Sequence, residues 1–186
     1  MTTQSLTAET TMLRQPPMAC VTLIGMAGAG KSTLGRLLAD HLGWAHLDTD
    51  QLIEASYGLP LQEVLDGLGL ETFLRAEESL VSTLNVRRTV ISTGGSVVYG
   101  PEAMERLKLL GPIIFLEIDL PAFLKRVGDG EGRGLAIAVG KTREDVFAER
   151  QPLYRAAADF TLRTDEDSRQ VCLERLHSWL KNEVEL

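Results

Sequence analysis

The fold of this chain is decided by the segment Val21-Thr22-Leu23-Ile24-Gly25-Met26-Ala27-Gly28-Ala29-Gly30-Lys31-Ser32-Thr33. It begins with a short apolar, partly β-branched run, which predicts a buried strand. It then breaks at three glycines and enters the amphipathic residues 34–42, which predict a helix. Within it, residues 25–32 fit the pattern G-x-x-x-x-G-K-[ST] of a phosphate-binding loop, in the strand and helix context that this motif requires.

Each fixed residue of the loop has a physical role. The glycines let the backbone turn tightly, so that successive N–H groups point at phosphate oxygens, and the helix adds the positive end of its dipole. Lys31 is expected to reach the β- and γ-phosphates of ATP, and the Ser32 hydroxyl to bind the Mg²⁺ that bridges them. Thr33 has two alternative interpretations, a contact with the α-phosphate or a surface or packing position on the helix. The predicted nucleotide-binding residues of the loop are Gly28, Ala29, Gly30, Lys31, Ser32 and Thr33.

Composition narrows the class of protein. A chain of 186 residues with a 44% hydrophobic fraction fits one globular domain. The formal net charge of −7 argues against a nucleic-acid partner. No stretch has the length of a membrane span or the pattern of a signal peptide. Two distant cysteines fit reduced, buried thiols. We expect a cytoplasmic monomer with a flexible tail at 1–18 and a single domain at 19–186.

Two carboxylates follow the predicted second strand at residues 44–47. In Asp48-Thr49-Asp50, the i, i+2 spacing places one carboxylate toward the Mg²⁺ shell and one toward a substrate hydroxyl. The alternative is helix capping, with Thr49 or Asp50 as the cap of the next helix. Both readings stay open on sequence alone.

Two further features have a structural and a functional interpretation. Arg75 and Glu78 share one face of the helix predicted at residues 71–84, where a solvated ion pair is the simpler reading. Gly94 and Gly95 follow a β-branched strand at 89–93. There they form either a plain turn or a close backbone approach to a ligand.

The stretch from residue 128 to 134 contains four glycines and Arg133, and predicts either a disordered insert or a mobile lid at about 128–140. An arginine in a lid would stabilise charge during phosphoryl transfer. Strands and helices alternate about five times along the chain. This predicts an α/β fold with an open parallel sheet and helices on both faces.

Arg126 and the later residues Arg150, Leu153 and Tyr154 complete the series. In this order, these elements closely resemble the shikimate kinase family over about residues 20–165. The resemblance implies a three-layer P-loop kinase fold with a five-stranded parallel sheet and a mobile lid. It also implies transfer of the γ-phosphate of ATP to the 3-hydroxyl of shikimate. The residues that carry it are the loop at 25–33, Asp48-Thr49-Asp50, Arg75, Glu78, Gly94, Gly95, Arg126, Arg133, Arg150, Leu153 and Tyr154.

The resemblance assigns roles to these positions. Lys31, Asp50 and Arg133 would be catalytic, with Asp50 as the base, and Arg126 would stack on adenine. Asp48 would act on Mg²⁺ through water, beside Ser32. The acceptor would contact Asp50, Arg75, Gly94, Gly95 and Arg150, with the two arginines clamping its carboxylate and Glu78 fixing Arg75.

The chain departs from the family pattern near the acceptor. Ser96 replaces the third glycine after the central strand, Gly134 follows the lid arginine instead of proline, and Leu74 replaces the aromatic residue before Arg75, with Phe73 one place earlier. Alternatives to a shikimate kinase are a kinase of another hydroxy acid or polyol, such as a sugar acid, and a nucleotide-binding regulatory module without catalysis.

Overall fold

The computed structural model describes residues 20–128 and 135–183. In these ranges the chain forms one five-stranded sheet in which every neighbouring pair of strands is parallel. The spatial order is β2-β3-β1-β4-β5. The strands are β1 (Cys20–Ile24), β2 (Ala45–Asp48), β3 (Thr89–Ser92), β4 (Ile113–Glu117) and β5 (Phe160–Arg163).

The helices lie close to the predicted segments. They are α1 (Lys31–Leu42), α2 (Thr49–Tyr57), α3 (Leu61–Leu68), α4 (Leu70–Ser82), α5 (Pro101–Leu110), α6 (Leu120–Val127), α7 (Arg143–Ala157) and α8 (Arg169–Glu183), with a short 3-10 turn at Val97–Tyr99. The predicted helix at 71–84 ends earlier, at Ser82. There the Thr83 hydroxyl donates to the carbonyls of Ser79 and Leu80, groups that a helix end leaves without backbone partners.

Helices cover both faces of the sheet. All residues of β1 and β3 are buried. Because consecutive residues of a strand point to opposite faces of the sheet, both faces of the sheet must be covered. Helix α1 packs against α8, and α4 packs against α5. The predicted α/β architecture is confirmed.

The strand register positions the site. Ser92 at the end of β3 lies opposite Leu23 of β1 and Asp48 of β2. The carboxyl ends of the three strands therefore meet at one edge, where open α/β sheets bind ligands. The phosphate loop, the two aspartates and the glycine turn all begin at this edge.

Two further observations concern the cysteines and the length of the helices. Cys20 and Cys172 are free and buried, as predicted. Within residues 20–128 and 135–183, none of the helices combines the length and apolar character that crossing a bilayer requires.

Candidate active site

The loop between β1 and α1 has a backbone conformation that demands glycine. Gly25 has φ of 140°, and a Cβ there would come within 3.0 Å of the carbonyl oxygen of Leu116. Gly28 has φ of 77°, and a Cβ added there would lie 3.0 Å from the Cβ of Arg126. Gly30, also at positive φ, precedes the first residue of α1. The N–H groups of the first helical turn are thus left for an anion, which is the basis of phosphate binding.

Lys31 lies folded back onto this loop. Its side chain is buried, and Nζ donates to the carbonyls of Gly25 at 2.8 Å and Met26 at 2.9 Å. Burial lowers the pKa of Lys31 to about 8, and the carboxylates of Asp50 and Asp48 oppose that change. The ammonium group therefore rests on neutral carbonyls that a phosphate can replace.

Asp48 connects the loop to α2. Its Oδ2 accepts a hydrogen bond from Ser32 Oγ at 2.6 Å, and its Oδ1 accepts one from the backbone N–H of Asp50 at 3.1 Å. Asp48 is therefore the N-cap of α2, and the expectation that Thr49 or Asp50 would cap this helix is wrong. The reason is that β2 continues to Asp48 and the helix starts at once, so the last strand residue holds the capping position.

A hydroxyl and a carboxylate in contact suit a hard cation. Mg²⁺ prefers oxygen ligands and commonly keeps several of its waters. Ser32 Oγ and Asp48 Oδ2 provide two such oxygens at the start of α1, so the residues present fit the predicted Mg²⁺.

Asp50 faces the same cleft as the phosphate loop. Burial raises its pKa to about 6, and the nearby ammonium of Lys31 works against this rise. The cleft has a volume of about 750 Å³. Its lining combines all the predicted loop residues with Asp50, with single residues after β3 and in α6, and with residues after β5. The full set is Ala27, Gly28, Ala29, Gly30, Lys31, Ser32, Thr33, Leu34, Asp50, Thr93, Arg126, Thr164, Asp167, Ser168, Arg169 and Cys172.

A buried carboxyl group that was not predicted lies beside this cleft. Glu77, in α4, is 2% exposed, and its Oε2 accepts a hydrogen bond from Ser96 Oγ at 2.6 Å. Burial is the main reason that its pKa rises to about 7. Asp50 adds to the rise, whereas the Ser96 hydrogen bond opposes it. Within the described parts of the chain, Glu77 Oε1 has no hydrogen-bond partner.

The space beside Gly94 brings Glu77 and Asp50 together. A Cβ on Gly94 would lie within 3.0 Å of both Glu77 Oε1 and Asp50 Oδ1. The two carboxyl oxygens therefore pack directly against the backbone of Gly94, where any larger residue would collide with both.

The glycine turn is fixed from both sides. The N–H of Gly94 donates to Thr49 Oγ1 at 2.9 Å, and the Tyr154 hydroxyl donates to the carbonyl of Gly95 at 2.5 Å. Tyr154 is fully buried, which raises its pKa and keeps the phenol protonated. The backbone N–H of Gly94 is thus already engaged within the protein.

Arg150 is buried beside the glycine turn, where a Cβ on Gly95 would lie 3.2 Å from its Nη1. It is 1% exposed, with its guanidinium 5.0 Å from the ring centroid of Tyr99. Its Nε donates to the Tyr99 hydroxyl at 3.2 Å and its Nη2 to the carbonyl of Ala136 at 2.6 Å. The cation is held by neutral groups, so its charge stays available to an anion.

Arg75 does not pair with Glu78, contrary to the expectation from their spacing. It pairs with Glu71 at 3.3 Å, with 66% of its side chain exposed, while Glu78 Oε1 accepts from the backbone N–H of Glu102 at 2.9 Å. Glu102 is in the first turn of α5, whose N–H groups lack helical partners and attract a carboxylate. The packing of α4 on α5 therefore draws Glu78 away from Arg75.

Both predicted acceptor arginines lie in the neighbourhood of Tyr99. A cavity of about 160 Å³ is lined by Arg75, Tyr99, Glu77 and Ser96, among others. Arg150 reaches the same tyrosine through its guanidinium. Arg75 and Tyr99 thus line one cavity, and Arg150 lies over the ring of the same tyrosine.

Arg126 braces the phosphate loop. Its Nη1 donates to the carbonyl of Gly28 at 3.0 Å and its Nη2 to the carbonyl of Thr164 at 3.2 Å. Thr164 Oγ1 also donates to the carbonyl of Ala29 at 2.9 Å. Arg126 also lines the cleft, which the predicted stacking on adenine requires. Its two hydrogen bonds go to backbone carbonyls of the protein.

Arg133, the predicted lid arginine, and Gly134 lie outside the described residues. Of the predicted lid at about 128–140, the structure describes residue 128 and the residues from Leu135 onward. Ala136, 4% exposed, packs with the apolar side chains of α2, α3 and α4, including Ile53 and Phe73.

Three residues hold the site together although the sequence analysis assigned none of them to it: Thr49, Ser92 and Glu77. Ser92 Oγ donates to the carbonyl of Lys31 at 2.9 Å. A signal existed for Glu77, since it lies four residues after the buried Phe73 and four before the buried Val81. A carboxylate in an apolar stripe with that spacing points into the protein. Thr49 and Ser92 offered no such signal.

The chain is similar to known proteins over most of its length. The family model described as Shikimate kinase matches residues 27–181. Among curated proteins, the shikimate kinase of Vibrio vulnificus strain YJ016 is 35% identical over 162 residues, covering 86% of this chain and 94% of that protein. Shikimate kinase 1 of Pectobacterium atrosepticum is 37% identical over 164 residues, covering 86% and 95%.

Solved structures agree in fold. The shikimate kinase from Acinetobacter baumannii in complex with shikimate superposes with a TM-score of 0.77 at 27% identity, covering 90% of this chain and 96% of that one. The shikimate kinase from Aquifex aeolicus gives a TM-score of 0.74 at 27% identity, covering 88% and 96%.

Proposed function

This chain belongs to the shikimate kinase family, and from that premise we infer that it is an ATP-dependent phosphotransferase that phosphorylates the 3-hydroxyl of shikimate. One observation of the site carries this function: a single cleft is lined by residues 27–33, which include the predicted nucleotide-binding residues of the phosphate loop, and by Asp50. Phosphate donor and hydroxyl acceptor can therefore meet in one continuous space, which phosphoryl transfer requires.

We propose the following roles on the donor side. Gly28, Ala29 and Gly30 surround the phosphates with backbone N–H groups, and Lys31 leaves the carbonyls of the loop to bind the β- and γ-phosphates. Arg126 and Thr33 line the rest of the nucleotide site, with Arg126 beside the base. Arg133, in the lid, would add positive charge at the transferring group.

The metal would be held by the donor side as well. Ser32 would bind Mg²⁺ directly and Asp48 through water, as the 2.6 Å contact between their oxygens suggests. When bound, Mg²⁺ neutralises charge on the β- and γ-phosphates.

Asp50 is the proposed base. Its carboxylate accepts the proton of the acceptor hydroxyl as the oxygen attacks the γ-phosphorus in line with the leaving ADP oxygen. A pKa near 6 leaves Asp50 mostly ionised at neutral pH, yet closer to the operating pH than an exposed aspartate.

On the acceptor side we propose that Arg75 and Arg150 bind the carboxylate of shikimate. Arg150 is buried, preorganised and held by neutral partners, so it supplies the larger share of the attraction. Arg75 is exposed and must leave Glu71 to take part. Gly94 and Gly95 provide the close approach for the ring.

We also propose that residues 19–186 act as a monomeric single domain in the cytoplasm, with 1–18 outside the fold. Light scattering after size exclusion, on the full chain and on a chain starting at residue 19, tests the first two points.

The function is tested by ADP release from MgATP with purified protein. Shikimate, quinate, gluconate and no acceptor are compared in parallel, with Asp50→Asn as the matched variant. We expect rapid turnover that depends on shikimate and is lost in Asp50→Asn. Turnover with gluconate but not with shikimate would assign the site to another hydroxy acid, and ATP binding with no acceptor-dependent turnover would indicate a regulatory module.

A further inference from the structure

Two side chains of the sheet form a hydrogen-bonded relay that ends on the backbone beside the phosphate loop. His46, in β2, has its Nε2 at 2.9 Å from Oγ of Ser92, the last residue of β3. The Ser92 hydroxyl in turn donates to the carbonyl of Lys31 at 2.9 Å. Lys31 is the first residue of α1, so this relay connects two strands to the start of the helix that follows the loop.

The carbonyl at the end of the relay fixes the direction of both hydrogen bonds. A carbonyl oxygen can only accept, so the single proton of the Ser92 hydroxyl goes to Lys31. Toward His46, the Ser92 oxygen is then an acceptor. Nε2 of His46 therefore carries a proton and donates it to Ser92.

The relay is enclosed by the protein. Ser92 is 1% exposed, and a Cβ on Gly35 would come within 3.0 Å of both Ser92 Oγ and His46 Nε2. The backbone of α1 therefore packs directly against the relay. A polar atom that loses its partner in such a place is costly, so each donor of the relay matters.

The carbonyl of Lys31 shares one rigid peptide unit with the N–H of Ser32. No peptide bond in the described parts of the chain is cis, so this C=O and this N–H point in opposite directions. Ser32 lines the cleft, and its N–H belongs to the first turn of α1, where N–H groups have no partner within the helix. A hydrogen bond on the carbonyl directs the N–H away from Ser92 and strengthens it as a donor.

We propose that His46 and Ser92 are positioning residues of the nucleotide site. Their relay holds the peptide between Lys31 and Ser32 in the orientation that presents the Ser32 N–H to the β-phosphate of the nucleotide. The hydrogen bond from Ser32 Oγ to Asp48 Oδ2 also joins α1 to β2, but it holds the side chain of Ser32 and not this peptide. The inference rests on the donor half of the proposed function and does not involve the acceptor.

The test measures the Kd of ADP by titration calorimetry without a metal ion, and the KM values of MgATP and of shikimate. Ser92→Ala removes the donor to Lys31. His46→Gln and His46→Asn form a matched pair, because the amide nitrogen of glutamine can take the place of Nε2, whereas that of asparagine reaches only the place of Nδ1. His41→Gln, at an exposed position in the last turn of α1, is the control.

We expect Ser92→Ala to raise the Kd of ADP and the KM of MgATP by about 10-fold, and to change the KM of shikimate by less than about twofold. His46→Asn should raise the two nucleotide constants by about 3- to 10-fold, and His46→Gln by less than about twofold. The double variant His46→Asn, Ser92→Ala should bind ADP as Ser92→Ala does, since both changes interrupt one relay. His41→Gln should bind as wild type.

Unchanged ADP affinity in Ser92→Ala, together with a lower free energy of unfolding, would overturn the inference, because the relay would then stabilise the fold alone. Equal losses in His46→Gln and His46→Asn, or losses that add in the double variant, would also overturn it. If His46→Asn fails to fold, the ADP affinity of Ser92→Ala decides. Normal ADP binding by a wild type that does not turn over shikimate would refute the proposed function and leave this inference standing.

Discussion

Replacing Gly35 by alanine tests the packing beneath the phosphate loop. Gly35 lies inside α1, where alanine normally stabilises a helix by about 1 kcal/mol relative to glycine. Here the added Cβ would come within 3.0 Å of both Ser92 Oγ and His46 Nε2. The sign of the effect should therefore reverse.

The magnitude follows from the contacts that would be disturbed. Ser92 Oγ donates to the carbonyl of Lys31 at 2.9 Å and lies 2.9 Å from His46 Nε2. Overpacking costs about 1–3 kcal/mol, and a disturbed buried hydrogen bond costs about 1 kcal/mol more. After subtracting the gain in helix propensity, we expect Gly35→Ala to lower the free energy of unfolding by about 1–3 kcal/mol.

The assay is urea unfolding followed by far-UV circular dichroism, with equal m-values as the check on two-state behaviour. Gly67→Ala is the matched control, because Gly67 lies in α3 and its Cβ would meet nothing within 4 Å. It should stabilise by about 0.5–1 kcal/mol. The double variant Gly35→Ala, Ser92→Ala should recover part of the loss. A gain for Gly35→Ala equal to that of Gly67→Ala would refute the packing argument.

The remaining predictions concern catalysis and pH. Lys31→Ala should reduce the rate of ADP release with shikimate by about 1,000-fold or more, since no other cation of the loop can bind the γ-phosphate. A rate within tenfold of wild type would contradict the role of the loop. Arg75→Ala should raise the KM of shikimate about tenfold and leave that of ATP unchanged, because the exposed guanidinium contributes a solvent-screened contact; equal losses for both substrates would indicate a folding role. For Glu77, the pKa rises on folding from 4.5 to about 7, so the folded state holds the proton longer than the unfolded state. The free energy of unfolding should then fall as pH rises from about 4.5 to 7, by about 3 kcal/mol at most. Glu77→Gln should make this fall smaller when the free energy is measured by urea unfolding at each pH. The same pH dependence in Glu77→Gln and wild type would argue against a buried, titrating Glu77.

The fold could be predicted well from the sequence because its signals are local. The phosphate loop, the β-branched strands and the glycines that end helices each depend on a few neighbouring residues, and the five strands appear where expected. The predicted N-cap of α2 is wrong because capping depends on where a strand stops. That boundary shifts by one residue without any change in the hydrophobic pattern.

The acceptor side could be predicted less well because its contacts join distant segments. Glu78 has two possible partners, the side chain of Arg75 and the backbone N–H of Glu102. The structure selects Glu102 because α4 packs on α5, and the sequence does not reveal this packing. The inward direction of Glu77 depends on the phase of α4. Only if Phe73 rather than Leu74 is taken as the buried residue does Glu77, four residues later, point inward.

The brace on the phosphate loop has a consequence for how the protein is made. Gly28 and Ala29 accept hydrogen bonds from Arg126 and Thr164, which follow them by 98 and 135 residues. On the ribosome, synthesis proceeds from the amino terminus and domains gain their long-range contacts late. The loop therefore leaves the ribosome without its brace, and a nascent chain that stops before Thr164 should hold ATP more weakly than the finished protein.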